Sequence, residues 1–298
     1  MSWRLRIDRK FPFANFQAKR EDSSVSILGA PLDISNSHAP GTVYAPEHIR
    51  RVAESLEWYS FISQRDLTEF SFYDEGDLVL YPGDIKRSLE LISESLSDLK
   101  REGRIPIILG GEHTITLGAA DILSSKCLIV VFDAHLDLRE EYLGSNLNHA
   151  TVMRRVWENV PSAEFAFVGT RAVTLEELSF AKKEGMEIFT SRMIWKYGLA
   201  EAVKKIIKMA ENTECVYISF DMDVVDPGFA PGVGTPEPLG LDPHTIVEMV
   251  YSLIGKKLVG MDIVEVNPLR DCGEATTSLA AKIVIESIIK YESSKIES

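Results

Sequence analysis

Two six-residue runs restrict the fold more than anything else in this chain: Cys127-Leu128-Ile129-Val130-Val131-Phe132 and Cys215-Val216-Tyr217-Ile218-Ser219-Phe220. Both are apolar almost throughout and rich in β-branched and aromatic residues. Such runs suit strands covered on both faces, as inside a parallel sheet. Each ends abruptly in carboxylates. The first leads into Asp133-Ala134-His135-Leu136-Asp137, the second into Asp221-Met222-Asp223 and then Asp226-Pro227. A carboxylate at the end of a buried strand is costly without a positive partner, and few basic residues adjoin these. On an extended backbone residues i, i+2 and i+4 share one side. Asp133, His135 and Asp137 are therefore expected to converge on one point, as are Asp221 and Asp223. Together the clusters read as a two-metal hydrolase site.

The rest of the chain alternates strand-like and helix-like segments. Strands are expected at 25–28, 70–73, 106–109, 164–168, 186–189 and 258–266. Helices are expected at 45–56, 84–100, 114–123, 148–157, 174–184, 199–210, 243–254 and 274–291, with a fraying Ser/Glu-rich end. Thr174 with Glu177 three residues on is a capping-box signature. The alternation implies α/β architecture, a mostly parallel sheet covered by helices on both faces. No repeat, linker or composition break divides residues 1–298, so a single domain is expected. In such sheets sites lie beyond the carboxyl ends of the strands. The acidic clusters sit there, as do Gly110-Gly111-Glu112-His113 and Glu265-Val266-Asn267-Pro268.

A net charge of −13 offers no basic excess for nucleic acid. No apolar run approaches a membrane span, and Met1 to Lys10 lacks the apolar core of a secretory signal. Three cysteines, Cys127, Cys215 and Cys272, suggest no disulfide framework; the first two read as inert core residues in a reduced, cytoplasmic protein.

Six side chains are candidate metal ligands: His113, Asp133, His135, Asp137, Asp221 and Asp223. Four carboxylates and two imidazoles form a hard oxygen/nitrogen set that favours Mn²⁺, with Fe, Co or Zn as alternatives. Two ions sharing carboxylates can lower the pKa of a water between them and supply hydroxide near neutral pH. Taken alone, the Asp-x-Asp pair reads equally as a helix cap or a phosphate-bound Mg²⁺ site, and His113 as a loop residue. The three clusters in this order favour the metal reading.

The runs Gly110-Gly111-Glu112-His113-Thr114, Asp133-Ala134-His135-Leu136-Asp137 and Ser219-Phe220-Asp221-Met222-Asp223-Val224-Val225-Asp226-Pro227 resemble the three signature motifs of the ureohydrolases, the arginase/agmatinase family. The likeness extends to the early loop from Ala30 to Pro46, the glycine-rich Pro231 to Glu237, and Asp262 to Pro268. In the early loop Ala39 stands where the family commonly has Arg. The resemblance implies a three-layer αβα fold around an eight-stranded parallel sheet. It implies two Mn²⁺ ions, one held by residues matching His113, Asp133, Asp137 and Asp221, the other by those matching Asp133, His135, Asp221 and Asp223. It further implies that His149 shuttles a proton, that Glu265 holds the substrate guanidinium, and that the protein is a trimer or hexamer. Physical chemistry is compatible with both roles: a carboxylate matches a planar guanidinium, and an imidazole titrates near neutrality. By position alone His149 reads equally as a surface or cap residue.

Substrate choice is expected in Arg139 to Asn148. That segment lacks the Thr/Ser/Asn-rich stretch by which arginases grip an amino acid, and so resembles the agmatinase branch. Glu140 and Glu141 suit a cationic guanidine, or are simply solvated; Arg139 could serve a carboxylate. Agmatine is the expected substrate. Arginine, guanidinobutyrate and an aminopropyl-extended agmatine are alternatives, and an inactive regulatory relative or a binuclear phosphatase are readings from other classes.

Overall fold

The computed structural model describes residues 2–9 and 11–296; Met1 and Lys10 of the N-terminal stretch and Glu297 and Ser298 of the C-terminal run lie outside them. Nine strands form one sheet: β1 (Ile7–Asp8), β2 (Val25–Ala30), β3 (Phe72–Leu78), β4 (Ile105–Gly110), β5 (Cys127–Phe132), β6 (Glu164–Val168), β7 (Glu187–Phe189), β8 (Cys215–Asp221) and β9 (Leu258–Val264). Their spatial order is β1-β3-β2-β4-β9-β8-β5-β6-β7. The strands from β2 to β9 run parallel, and the short edge strand β1 pairs antiparallel with β3. The expected eight-stranded parallel sheet is therefore present, with an antiparallel ninth strand added.

The period of two along β5 assigns its faces. Leu128, Val130 and Phe132 join the core beneath α1 (Ala45–Ser55), α6 (Leu199–Glu211), α7 (Pro243–Leu253) and α8 (Ala275–Ile296). Ile129 and Val131 pack with α3 (Val152–Asn159) and with Ala181 of α4 (Leu175–Lys183). Leu28, Ile108 and Val264 meet α2 (Ile85–Arg101) and the 3-10 helix His113–Ile122. Both faces are covered, so the strands carry apolar residues at nearly every position. The ring of Phe132 stacks on that of Phe220 across the β5–β8 pair, with centroids 5.2 Å apart.

Three departures have physical causes. Strand β3 runs on through Asp74-Glu75-Gly76-Asp77 because the buried Arg50 guanidinium bonds to Asp74 at 2.7 Å and to Asp77, satisfying carboxylates that read as loop. The segment expected as an α-helix at 114–123 is 3-10 throughout, and its Gly118 lies so close to α2 that a Cβ would meet Ile92 Cγ2 at 2.5 Å. Cys127 and Cys215, expected as inert thiols, form a disulfide. Parallel pairing of β5 with β8 sets these two residues opposite one another, with Cα atoms 4.5 Å apart, within the range a disulfide can bridge. The cysteine-based argument for a reduced setting therefore falls. Cys272 is free and exposed. No helix among the described residues is long and apolar enough to cross a membrane.

Candidate metal centre and substrate cavity

Four neighbouring central strands, β4, β9, β8 and β5, deliver the candidate residues at their carboxyl ends. Beyond β4 the chain turns at Gly111, where a Cβ would sit 1.9 Å from the Leu32 carbonyl oxygen, and His113 then opens its 3-10 helix. Asp221 ends β8, and Asp223 lies in the 3-10 turn Met222–Val224. Beyond β5, Asp133 still donates its N–H to Val168 O, but the strand stops there. The N–H of Ala134 goes to Asp223 Oδ1 at 3.0 Å and that of His135 to Asp133 Oδ1 at 2.6 Å. These side-chain acceptors end the extended run, so Asp133, His135 and Asp137 do not converge on one point.

They divide instead between two. His113 Nδ1 lies 3.2 Å from Asp133 Oδ2, 3.0 Å from Asp137 Oδ2 and 3.4 Å from Asp221 Oδ2. His135 Nδ1 lies 3.4 Å from Asp133 Oδ1 and 3.0 Å from Asp223 Oδ2. Asp133 faces both with its two oxygens. Ligand atoms of His113, Asp133 and Asp221 fall within 4.8 Å of one another, as do those of Asp133, His135 and Asp223; Asp221 belongs to the first group only.

Electrostatics tests whether a cation suits these residues. Burial, with the neighbouring Asp133 charge, pushes Asp137 up to about 7. Burial, with the charges of Asp223 and Asp133, raises Asp221 well above the carboxylate range. Asp133 is also buried, but the imidazoles of His113 and His135 beside it prevail and hold it below that range. Carboxylates outweigh burial at both histidines: Asp133 and Asp137 raise His113 well above its usual value, and Asp223 and Asp133 raise His135 to about 12. The cluster thus asks for positive charge. His113 Nδ1 and Asp133 Oδ2 are buried polar atoms without a hydrogen-bond partner among the described residues, and they face each other. A cation between a buried nitrogen and a carboxylate oxygen so placed would satisfy both. The hard donor set fits a divalent ion.

Glu265 and His149 face the same cavity, of about 290 Å³, whose wall also includes His113, His135, Asp137, Asp221 and Asp223. Glu265 Oε1 accepts the His113 backbone N–H at 2.7 Å. Burial pushes its carboxyl up to about 8, against that bond. Asp137 and Glu265 have left-handed backbones, with φ of 51° and 63°. Each such non-glycine residue costs on the order of 1–3 kcal/mol. His149 begins the 3-10 turn before α3, and burial lowers its pKa.

The profile of the arginase family matches residues 23–289. The chain belongs to the arginase family. It is 33% identical to an agmatinase of Bacillus subtilis over 96% of this chain and 99% of that one. It is 36% identical to an N(1)-aminopropylagmatine ureohydrolase of Thermococcus kodakarensis, over 90% of this chain and 91% of the other. The crystal structure of an agmatine ureohydrolase of Thermoplasma volcanium superposes with a TM-score of 0.87 at 32% identity, covering 98% of this chain and 97% of that one. The protein is thus an arginase-family ureohydrolase, most like agmatinases.

Within this ureohydrolase the residues that shape the cavity include several to which the sequence reading attached no role. Glu112 is fully buried; it accepts the N–H groups of Ile34 and Ser35 and, at 2.7 Å, the Ser35 hydroxyl. Ser35 Oγ in turn lies 3.2 Å from His149 Nδ1. Because the Ser35 proton is committed to Glu112, its oxygen accepts from Nδ1–H, leaving Nε2 as the basic nitrogen, 3.3 Å from Ser37 Oγ. The early loop therefore serves the site despite Ala39, whose carbonyl is held by Asn267 Nδ2 at 2.9 Å. Arg171 bonds the carbonyls of Asp223 at 2.6 Å and Glu237 at 2.7 Å, clamping the late loop to the acidic turn. Asp226, read as part of the second cluster, closes the base of that loop by accepting from Gly228 and Gly240. Glu140 and Glu141 are exposed and absent from the cavity wall; its acidic groups besides the candidate ligands and Glu265 are Glu177 and Glu237. Arg139 lies 3.9 Å from Glu177 Oε2 and over the Tyr142 ring at 4.7 Å. His38 is exposed, and His48 and His244 lie in α1 and α7; none of the three lines the cavity.

Proposed function

We propose that the protein is a manganese-dependent agmatinase, hydrolysing agmatine to putrescine and urea in the cytoplasm for polyamine synthesis, as a single-domain trimer or hexamer. One observation carries the reading. Members of both ligand groups, the buried carboxylate of Glu265 and the imidazole of His149 share one cavity wall. His113, Asp133, Asp137 and Asp221 would hold one ion, and Asp133, His135 and Asp223 the other, with Asp221 a further ligand by family resemblance. Bound there, a pair of divalent ions supplies the charge that makes water nucleophilic near neutral pH.

The chain's own residues do the rest. Glu265 receives the planar guanidinium, whose charge replaces the proton that burial favours on its carboxyl. Water adds to the guanidinium carbon and the bond to the alkyl nitrogen breaks, so that nitrogen must gain a proton. His149 Nε2, basic while Ser35 holds Nδ1–H, takes up a proton shed by the added water and passes it to that nitrogen. Glu177 is committed to Thr174 and Leu138, so Glu237 is the cavity-wall carboxylate suited to the second cation of agmatine. With Arg139 already engaged by Glu177 and Tyr142, an α-carboxylate would be desolvated without a free partner.

The test is urea release from a guanidine panel with Mn²⁺-loaded protein. Agmatine should exceed arginine by at least about two orders of magnitude in kcat/KM. Equal rates would refute the assignment, and loss of arginine turnover in Arg139→Ala would identify the cause. An aminopropyl-extended agmatine belongs in the panel because the same carboxylate would accept its longer cationic tail. Light scattering checks the assembly; a 33.3 kDa monomer would overturn that part.

A further inference from the structure

We propose that Ser219 and Asp262 are positioning residues that fix the tautomer and orientation of His113 for one of the two cation sites and not the other. The inference rests on the metal-centre reading above. Parallel register sets Ser219 of β8 directly opposite Asp262 of β9. Asp262 Oδ1 accepts the Ser219 hydroxyl at 2.8 Å, and Oδ2 accepts the Tyr217 hydroxyl at 2.6 Å. Ser219 Oγ also lies 3.0 Å from His113 Nε2 and 3.2 Å from Thr116 Oγ1. A serine hydroxyl has one proton. With that proton committed to the carboxylate, the oxygen can only accept from the imidazole. His113 therefore keeps its hydrogen on Nε2, so that Nδ1, beside Asp133, Asp137 and Asp221, is the nitrogen free to exchange a proton for a cation. That is the form a cation requires, and the opposite tautomer would aim an N–H there instead.

The chain of bonds is sealed. Tyr217, Ser219, Asp262 and Thr116 are fully buried and His113 is 1% exposed, so no water competes for these atoms. An acceptor-only carboxylate buried mid-strand is costly, and here its two oxygens are met by two hydroxyls that lead to a candidate ligand. The arrangement is one-sided. The His135 side chain is 26% exposed, and among the described residues no hydrogen bond reaches its Nε2. Partners of this kind around metal-bound histidines typically govern affinity by about 10- to 100-fold.

The experiment is a Mn²⁺ titration of metal-free, full-length protein by calorimetry, comparing wild type with Ser219→Ala and Asp262→Asn. The expected result is two sites in the wild type and selective weakening of one by about 10- to 100-fold in each variant. In a His113→Asn background, adding Ser219→Ala should change nothing further, because the relay then has nothing to orient. Should Ser219→Ala fail to fold, the nearly isosteric Asp262→Asn carries the same comparison. Equal weakening of both sites would mean general loosening and would overturn the proposal, as would unchanged binding of both. A wild type that takes up no Mn²⁺ would instead bring down the metal-centre reading and this inference with it.

Discussion

Breaking the Cys127–Cys215 bond should cost much stability and little chemistry. The bond joins residues 88 apart in sequence, so it removes a large closed loop from the unfolded ensemble. The chain-entropy relation puts a loop of that size at about 4.5 kcal/mol. For a chain this long each kcal/mol moves the melting temperature by a few degrees, so the fall should be on the order of 10 °C. The cystine sits at the amino ends of β5 and β8, and the candidate ligands lie past their carboxyl ends. Turnover at a temperature where both forms remain folded should therefore be unchanged. The assay is scanning calorimetry of the oxidised protein, the reductant-treated protein and Cys127→Ser, with Cys272→Ser as control. A thiol count in denaturant should find only Cys272 before reduction and all three cysteines after. Three free thiols in protein purified without reductant would refute the reasoning, as would a melting temperature indifferent to reductant.

Asp133 alone belongs to both ligand groups, so Asp133→Ala should abolish uptake of both Mn²⁺ ions, while Asp223→Asn should spare the His113 group; metal analysis after dialysis distinguishes them. Ser35→Ala should lower kcat by about 10-fold or more with KM little changed, since it frees the tautomer of His149 without touching Glu265; an unaltered kcat would remove Ser35 from the proton path. The metal-free protein should melt at higher temperature at pH 5 than at pH 8. Asp137 and Glu265 have folded pKa values raised from 3.8 and 4.5 to about 7 and about 8, so their contribution is present at low pH and lost as pH rises through those values. Saturating Mn²⁺ should reverse that trend, because protons and metal compete for the same oxygens and nitrogens; a metal-free protein that gains stability across this window contradicts the assignment.

The sheet was legible because burial on both faces leaves a plain mark: an apolar run of strand length ending in charge. The capping box at Thr174 and Glu177 was equally legible, and it forms as read. What stayed hidden depends on partners distant in sequence. Strand β3 could not be followed past Tyr73 without knowing that Arg50 meets Asp74 and Asp77. Helix α5 (Ser191–Tyr197) was missed because it is short and shows Trp195 and Tyr197 to solvent, leaving no apolar stripe to count. The candidate ligands were readable as residue types, but their division between two centres was not. That division follows from which carboxylate captures which backbone N–H after Asp133. The cystine escaped because a separation of 88 residues says nothing of strand adjacency. Ser35 and Arg171 are ordinary residues, and Glu112 a motif member without a role, until the loops that carry them are folded together.

The left-handed backbones of Asp137 and Glu265 have a consequence for anyone who tries to improve this protein. At such φ values glycine is the relaxed choice, so Asp137→Gly and Glu265→Gly would each remove both a backbone penalty and a buried acid. A laboratory selection that rewards heat resistance alone should therefore drift toward these positions early. Its survivors would be tougher proteins with the centre of the cavity dismantled. Any such campaign has to score urea release alongside survival, because at these two places the fold and the chemistry want different amino acids.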